Sequence, residues 1–376
     1  MVTATQALDA YHRLTEGLTR FVRVDELCAR ADFLPSKAEL DAEARLALKE
    51  KRGLERAQGQ FLGHVLGDPA AGTHLCHAML LPHPRTAAHR AEYEKKGEIA
   101  FPGARLERRG NAAVITQSNP RYLNAEDETT LEGMEIAVDL ALLDPKAEVC
   151  VLRGGPVEHP KYAGRRLFGA GINLTHLYQG KIRFLWYLIR DLGFVNKIMR
   201  GVAREDASPE VASTEKIWIA AVEGFAIGGH CQILLTIDYT VAAEDAYLTL
   251  PARKEGIIPG AANLRLPRFV GDRIARQAIL AERRIDCASP EGQLICDEIV
   301  PAEGMDEAIG RAVKMLTGSG VVSAAGNRRA FRAGEEPLDL FRRYMAVYAR
   351  EQADCHLSPA LIANLEKNWN AASRRT

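Results

Sequence analysis

"KIWIAAVEGFAIGGHCQILL", residues 216–235, passes from one apolar stretch through Gly224, Gly228 and Gly229 into another. The run from Ile217 to Val222 has almost no polar alternation, as in a short strand buried on both faces of a sheet. Past Gly229, the residues around Gln232 and Leu235 read as the start of a helix. The first N–H groups of a helix have no partner within it, and the helix dipole adds partial positive charge there. Glycine lets a ligand approach that backbone closely. The stretch therefore reads as strand, glycine turn and helix start with donors open to a negatively charged oxygen. Taken alone, it reads first as ordinary turn geometry.

Two further segments repeat or extend this design. "AEVCVLRGG" (147–155) is another buried-strand run, and "RLFGAGINLTHL" (166–177) again passes through glycines into a helix. "YLTLPARKEGIIPGAANLRLPRFVG" (247–271) places Pro251, Gly256 and Pro259-Gly260 ahead of a further helix. Two backbone N–H groups aimed at one oxygen form an oxyanion hole, each donor worth roughly 3–4 kcal/mol at a developing charge.

Around these segments the chain divides by texture. Residues 1–98 read as an α-helical region, with Tyr11, Leu14, Leu18 and Phe21 on one helical face and a capping box from Ser36 to Glu39. No strand alternation precedes residue 104. Residues 99–300 form an α/β core: a hairpin at "ARLERRGNAAVITQS" (104–118), a helix carrying Leu131, Met134, Ala137 and Leu140, the strand near 150, and a helix from about 173 to 200. The strand–helix alternation predicts stacked right-handed crossovers. Residues 301–376 read as a helical C-terminal segment with amphipathic spacing in "MDEAIGRAVKML" and "LDLFRRYMAVYAREQ".

The chain has 376 residues, 47% of them apolar, with 49 Lys+Arg against 49 Asp+Glu. Zero formal charge speaks against a broad nucleic-acid surface. Seven scattered cysteines without a CxxC pair predict reduced thiols. The N-terminus lacks the layout of a signal peptide, and no apolar run reaches the ~18–20 residues of a membrane span. The expectation is a soluble cytoplasmic protein. "HLCH" (His74, Cys76, His77) suggests metal binding. It lacks the second ligand pair of a zinc site, so structural histidines are expected and no metal.

Together the three glycine-containing segments, in this order and spacing, resemble the crotonase (enoyl-CoA hydratase/isomerase) superfamily over about residues 100–300. The resemblance implies a crotonase-like ββα superhelical (spiral) core, with the N-terminal helical region outside it and the C-terminal helices serving oligomerisation. It implies that the backbone N–H groups of Ile172 and Gly229 hold the thioester oxygen of an acyl-CoA and stabilise its enolate. The positions matching the two glutamates that activate water in hydratases are Gln232 and Ala252. Neither an amide nor a methyl group takes up protons near neutrality, so hydration is not expected. Glu255, in "ARKEG", is shifted from those positions and reads as a helix surface or ion-pair residue.

"YLNAEDE", "GFAIGGHCQ" and "LPARKEGIIPGAANLRLPRFVGDR", behind a long helical N-terminal region, are similar to a branch that oxidises arylacetyl-CoA thioesters with O2 on the way to dihydroxyphenylglycine and glycopeptide antibiotics. That likeness implies conversion of (3,5-dihydroxyphenyl)acetyl-CoA and O2 to 3,5-dihydroxyphenylglyoxylate and free CoA, without metal or organic cofactor. It also implies that Glu126, Arg190 and Gln232 hydrogen-bond the ring hydroxyls, and that Leu174, Ala252 and Ile257 form an O2 pocket. Read without it, Glu126 is a helix-start carboxylate, Arg190 a solvated charge, and the three apolar residues ordinary core. Arg121, Arg165 and Arg166 are candidates for the CoA phosphates. His230 departs from the family's third glycine and either narrows the pocket or points away from it.

A crotonase-type acyl-CoA thioesterase or decarboxylase is the alternative activity. A non-catalytic scaffold or RNA binder is a third class, opposed by the balanced charge and the paired loops. The expected partners are an acyl-CoA, O2 and further copies of the chain in a hexamer built as a dimer of trimers. The N-terminal region is expected to pack over the pocket or a neighbouring subunit.

Overall fold

The two near-continuous apolar runs lie side by side at the centre of a seven-stranded sheet. In the computed structural model, which describes residues 1–318 and 320–374, the strand order is Glu98–Phe101, Gly103–Arg109, Ala112–Ser118, Val149–Gly154, Ile217–Val222, Tyr239–Ala243 and Glu298–Val300. The first three pair antiparallel, and every later pair is parallel. Val149 aligns with Ile217 and Arg153 with Ala221. All of Val149–Gly154 is buried, as is Ile217–Val222 beyond its first residue. A parallel sheet covered on both faces demands this lack of alternation.

A smaller sheet of Phe225–Ile227, Tyr247–Thr249 and Ile285–Asp286 stands beside the first. Phe225–Ile227 runs parallel to Tyr247–Thr249 on one edge. On its other edge the Gly169 N–H donates to the Phe225 carbonyl (3.1 Å), and the Ile227 N–H donates to the Gly169 carbonyl (3.0 Å). Three residues later, Ile172 forms a parallel bridge with Glu126. All three glycine-containing segments and the "LNAED" stretch are thus joined by backbone hydrogen bonds.

Helices pack around both sheets. Arg56–Gly67, from the N-terminal region, lies against Leu338–His356 from the C-terminal segment. The approach is close enough that a Cβ at Gly59 would come within 2.4 Å of the Ala353 Cβ. One continuous apolar cluster runs from Ala7 through the sheets to Ala371. Among the described residues, no helix is long and apolar enough to cross a membrane.

Three sequence expectations need correction. The strand Glu98–Phe101 precedes residue 104, pairing Ile99 with Leu106; at four residues it is too short to show alternation. The helix expected over 173–200 is three helices, Leu174–Tyr178, Phe184–Leu192 and Phe194–Arg200. Gly180 (φ 74°) breaks the first from the second, where a Cβ would lie 2.1 Å from the Leu46 carbonyl oxygen. The N-terminal helix ends at Leu14, because Glu16, Gly17 and Leu18 all have positive φ, so Phe21 is not on its face. The Ser36–Glu39 capping box is formed.

Candidate active site

The two glycine loops meet. A Cβ on Gly171 would lie 3.3 Å from the Gly229 nitrogen and 3.4 Å from the Gly228 Cα, so the backbone preceding Ile172 passes directly over the start of the helix Gly229–Leu234. Gly228 occupies the helix N-cap with φ 54° and offers no side chain to satisfy the first turn. Among the described residues, neither the Ile172 N–H nor the Gly229 N–H has a protein acceptor. Both residues line one narrow cleft, together with Trp186, Tyr187, Arg190, Asp191, Gln232, Ala252, Glu255, Ile257 and Tyr348. Two backbone N–H groups without a protein acceptor thus belong to residues that line the same cleft.

Behind these donors lies a closed network of charge. The Arg190 guanidinium donates from Nε and Nη2 to the two carboxylate oxygens of Glu126, each at 2.8 Å. Its Nη1 donates to Asp191 Oδ1 at 2.8 Å and to Gln232 Oε1, and its Nη2 also reaches the Gly229 carbonyl at 2.9 Å. Gln232 Nε2 donates to Asp191 at 2.9 Å. Burial pulls the Arg190 pKa down, but Glu126 and Asp191 beside it raise it above its ordinary value. The network also explains the amide at position 232. It must accept from a guanidinium and donate to a carboxylate at once, which a second carboxylate cannot do. Gly229 must lack a side chain as well, since a Cβ there would sit 2.7 Å from Glu126 Oε2.

His230 points away from the cleft. Its Nδ1 accepts the Gly171 N–H at 2.9 Å, and its Nε2 lies 3.1 Å from Gln117 Oε1. These partners select the neutral Nε2–H tautomer, and burial pushes the imidazole down to about 4. The residue therefore holds the first loop in place against the second.

The remaining sequence candidates divide. Ala252 and Ile257 line the cleft. Leu174 does not; it is half-buried at the start of its helix and packs against the apolar core. Glu126 stands behind Gly229 and lines an adjoining cavity rather than the cleft itself. Arg121 is exposed, Arg165 is ion-paired with Asp245 (2.7 Å), and Arg166 donates to the Gly154 carbonyl (3.2 Å). None of the three lines the cleft. A wider cavity of about 580 Å³ shares Trp186 with it and carries Arg45, Lys181 and Arg183 among its lining residues. His74 and His77 are used in packing: His74 bonds Tyr11 (2.7 Å), His77 bonds the Arg204 carbonyl (2.7 Å), and Phe21 stacks on the His74 ring and meets the His77 ring at a tilt.

Sequence reading misplaced Glu255 and missed Asp191, Tyr187 and Tyr348. Glu255 is neither at the surface nor in an ion pair. It is buried, it lines the cleft, and its carboxylate has no hydrogen-bond or ion-pair partner among the described residues. The available signal was its spacing: three residues after Ala252, it shares that residue's helical face. Asp191 was legible only as the neighbour of Arg190. Tyr348 comes from a distant helix and carried no local sign.

Comparison with known proteins follows the same pattern. A family model described as enoyl-CoA hydratase/isomerase matches residues 107–343. The chain is 48% identical over 353 residues to (3,5-dihydroxyphenyl)acetyl-CoA 1,2-dioxygenase of Amycolatopsis orientalis, covering 92% of this chain and 80% of that protein. It is 29% identical over 253 residues to a probable enoyl-CoA hydratase of Rhizobium meliloti (strain 1021), covering 65% of this chain and 90% of that one. Among solved structures, an enoyl-CoA hydratase from Mycobacterium avium subsp. paratuberculosis K-10 superposes with a TM-score of 0.59 at 20% identity, over 74% of this chain and 100% of that one. One from Bacillus halodurans gives 0.57 at 19% identity, over 70% and 99%. These two likenesses concern the fold.

Proposed function

The chain belongs to the enoyl-CoA hydratase/isomerase family, and from that premise we propose that it is a dioxygenase acting on (3,5-dihydroxyphenyl)acetyl-CoA. Its products are 3,5-dihydroxyphenylglyoxylate and free CoA. The observation that carries this reading is the pairing of two open backbone donors, Ile172 and Gly229, with Gln232 and Ala252 where hydratases use carboxylates. Such a cleft stabilises a thioester enolate and lacks, at these two positions, the carboxylates with which hydratases activate water. The 48% identity to a dioxygenase of this substrate supports the same reading.

The chemistry begins with loss of an α-hydrogen that both ring and carbonyl acidify. Charge moves to the thioester oxygen, where the Ile172 and Gly229 N–H groups meet it. The electron-rich enolate passes one electron to O2, and recombination forms an α-peroxide without a metal or organic cofactor. The peroxide attacks the thioester carbonyl and expels CoA. Loss of the second α-hydrogen then cleaves the O–O bond, giving ketone and carboxylate, so both oxygen atoms of O2 enter the product. Reactive intermediates of this kind need exclusion from water, which the apolar side chains of Ala252 and Ile257 favour; Leu174 is proposed with them as the path for O2.

Arg190, Gln232 and Glu126 are proposed to bind the ring hydroxyls, and Arg121, Arg165 and Arg166 the CoA phosphates. The cleft is narrow, so entry of the ring requires its lining side chains to shift. Assembly as a homo-oligomer is part of the same reading. It is supported by Met315, Val322, Phe331 and Val347, which are exposed apolar residues of the C-terminal helices.

The test is an oxygen-electrode assay on chelator-treated protein with (3,5-dihydroxyphenyl)acetyl-CoA, following O2 and free CoA thiol together. Equal consumption and release is the expected result. Thiol release without O2 uptake would mean a thioesterase instead.

A further inference from the structure

Enolate formation needs a group to receive the α-hydrogen, and the cleft contains few candidates. Its titratable lining residues are Tyr187, Arg190, Asp191, Glu255 and Tyr348. Arg190 is held cationic between two carboxylates. Asp191 accepts from both Arg190 and Gln232. Burial raises both tyrosine hydroxyls well above their ordinary value, so neither is a base near neutrality. Glu255 differs from all of these, because its carboxylate has no protein partner although the residue is only 5% exposed. Leaving a buried carboxylate unpaired is costly, and few structural roles account for it.

We propose that Glu255 is the general base that removes the α-hydrogen of the thioester bound between Ile172 and Gly229. This rests on reading the cleft as a thioester-enolate site. The C–H bond breaks, its proton passes to a Glu255 oxygen, and its electron pair moves to the thioester oxygen held by the two N–H groups. Glu255 lies three residues beyond Ala252, where hydratases carry a carboxylate. On the short helix Ala252–Glu255 the two positions lie three residues apart and share one face. Burial, with Glu282 adding to it and Lys254 opposing it, pushes the Glu255 carboxyl up to about 7. Tyr187 faces it from the helix Phe184–Leu192. A base poised there is half ionised at neutral pH and strong enough to take a proton.

The experiment follows exchange of the α-hydrogens of (3,5-dihydroxyphenyl)acetyl-CoA with D2O under anaerobic conditions, where oxygenation cannot proceed. Wild-type protein is expected to exchange them at a rate that rises with pH through about 7. E255Q, which keeps the side-chain shape, is expected to lose about 10²–10⁴-fold in that rate and its pH dependence, while still binding the thioester. E255A is expected to regain exchange when formate is supplied. E255Q that binds the thioester and exchanges at the wild-type rate overturns the proposal, as does wild-type protein that binds it without exchange. Should E255Q fold poorly, the formate response of E255A decides, and its absence in folded protein counts against the base. Exchange lost in E255Q from a wild type that never consumes O2 would keep the base and remove the dioxygenase reading.

Discussion

Glu126 and Glu255 are both buried glutamates beside the same pair of glycine loops, 7% and 5% exposed, and their surroundings are opposite. Glu126 is gripped by both forks of Arg190, which also ties Asp191 and Gln232 into one network. Glu255 forms no ion pair and accepts no hydrogen bond among the described residues, and Lys254 offsets its burial only in part. One region is electrostatically finished before any ligand arrives; the other holds a group whose charge is unmatched. Perturbed titration at a concave site points to chemistry, whereas a network saturated by its own partners holds its groups in place for a ligand to meet.

The largest test of this contrast is R190M. Removing the cation leaves Glu126 and Asp191 buried without compensation, so urea unfolding should show a loss of about 3–5 kcal/mol. R190K should recover only part of it, since an ammonium cannot make the bidentate fork. A loss of less than about 1 kcal/mol, the range of a surface pair, would break the comparison.

E255Q should do the reverse. Glu255 holds its proton to about pH 7 in the folded chain, against an ordinary value of 4.5. Between these limits the folded state binds more protons, so this residue's contribution to stability falls as pH rises and levels off above 7. The variant should therefore match wild type below pH 4 and exceed it above pH 8 by on the order of 3 kcal/mol. Denaturant titrations at the two pH values measure this, and a flat difference would mean that Glu255 is better solvated than its burial indicates.

Q232E is the smallest of the three. A carboxylate at 232 cannot donate to Asp191 and faces it with like charge, at a cost of about 1–3 kcal/mol. The loss should shrink at pH 5, where protonation restores a donor. A pH-independent loss would point to shape rather than charge.

How far the sequence reached depends on what each feature is made of. The central parallel strands, the glycine loops with Ile172 and Gly229, and the neutral pair Gln232 and Ala252 are written in runs of a few residues, where period, chirality and side-chain chemistry act locally. The strand Glu98–Phe101, the break at Gly180 and that at Gly193, which separates Phe184–Leu192 from Phe194–Arg200, were missed because four residues show no period and a glycine inside an apolar helical pattern reads as tolerated. Neighbours from far along the chain decided the rest. The direction of His230 was set by Gly171 and Gln117, and the need for an amide at 232 by Asp191. Glu255 reads as a surface residue in "ARKEG" and becomes a buried one only when Tyr187 and, from the C-terminal helix, Tyr348 close around the same cleft. Helix and strand patterns follow from local steric and hydrophobic periodicity. A carboxylate's charge depends on how much water and which partners surround it, and only the folded chain sets those.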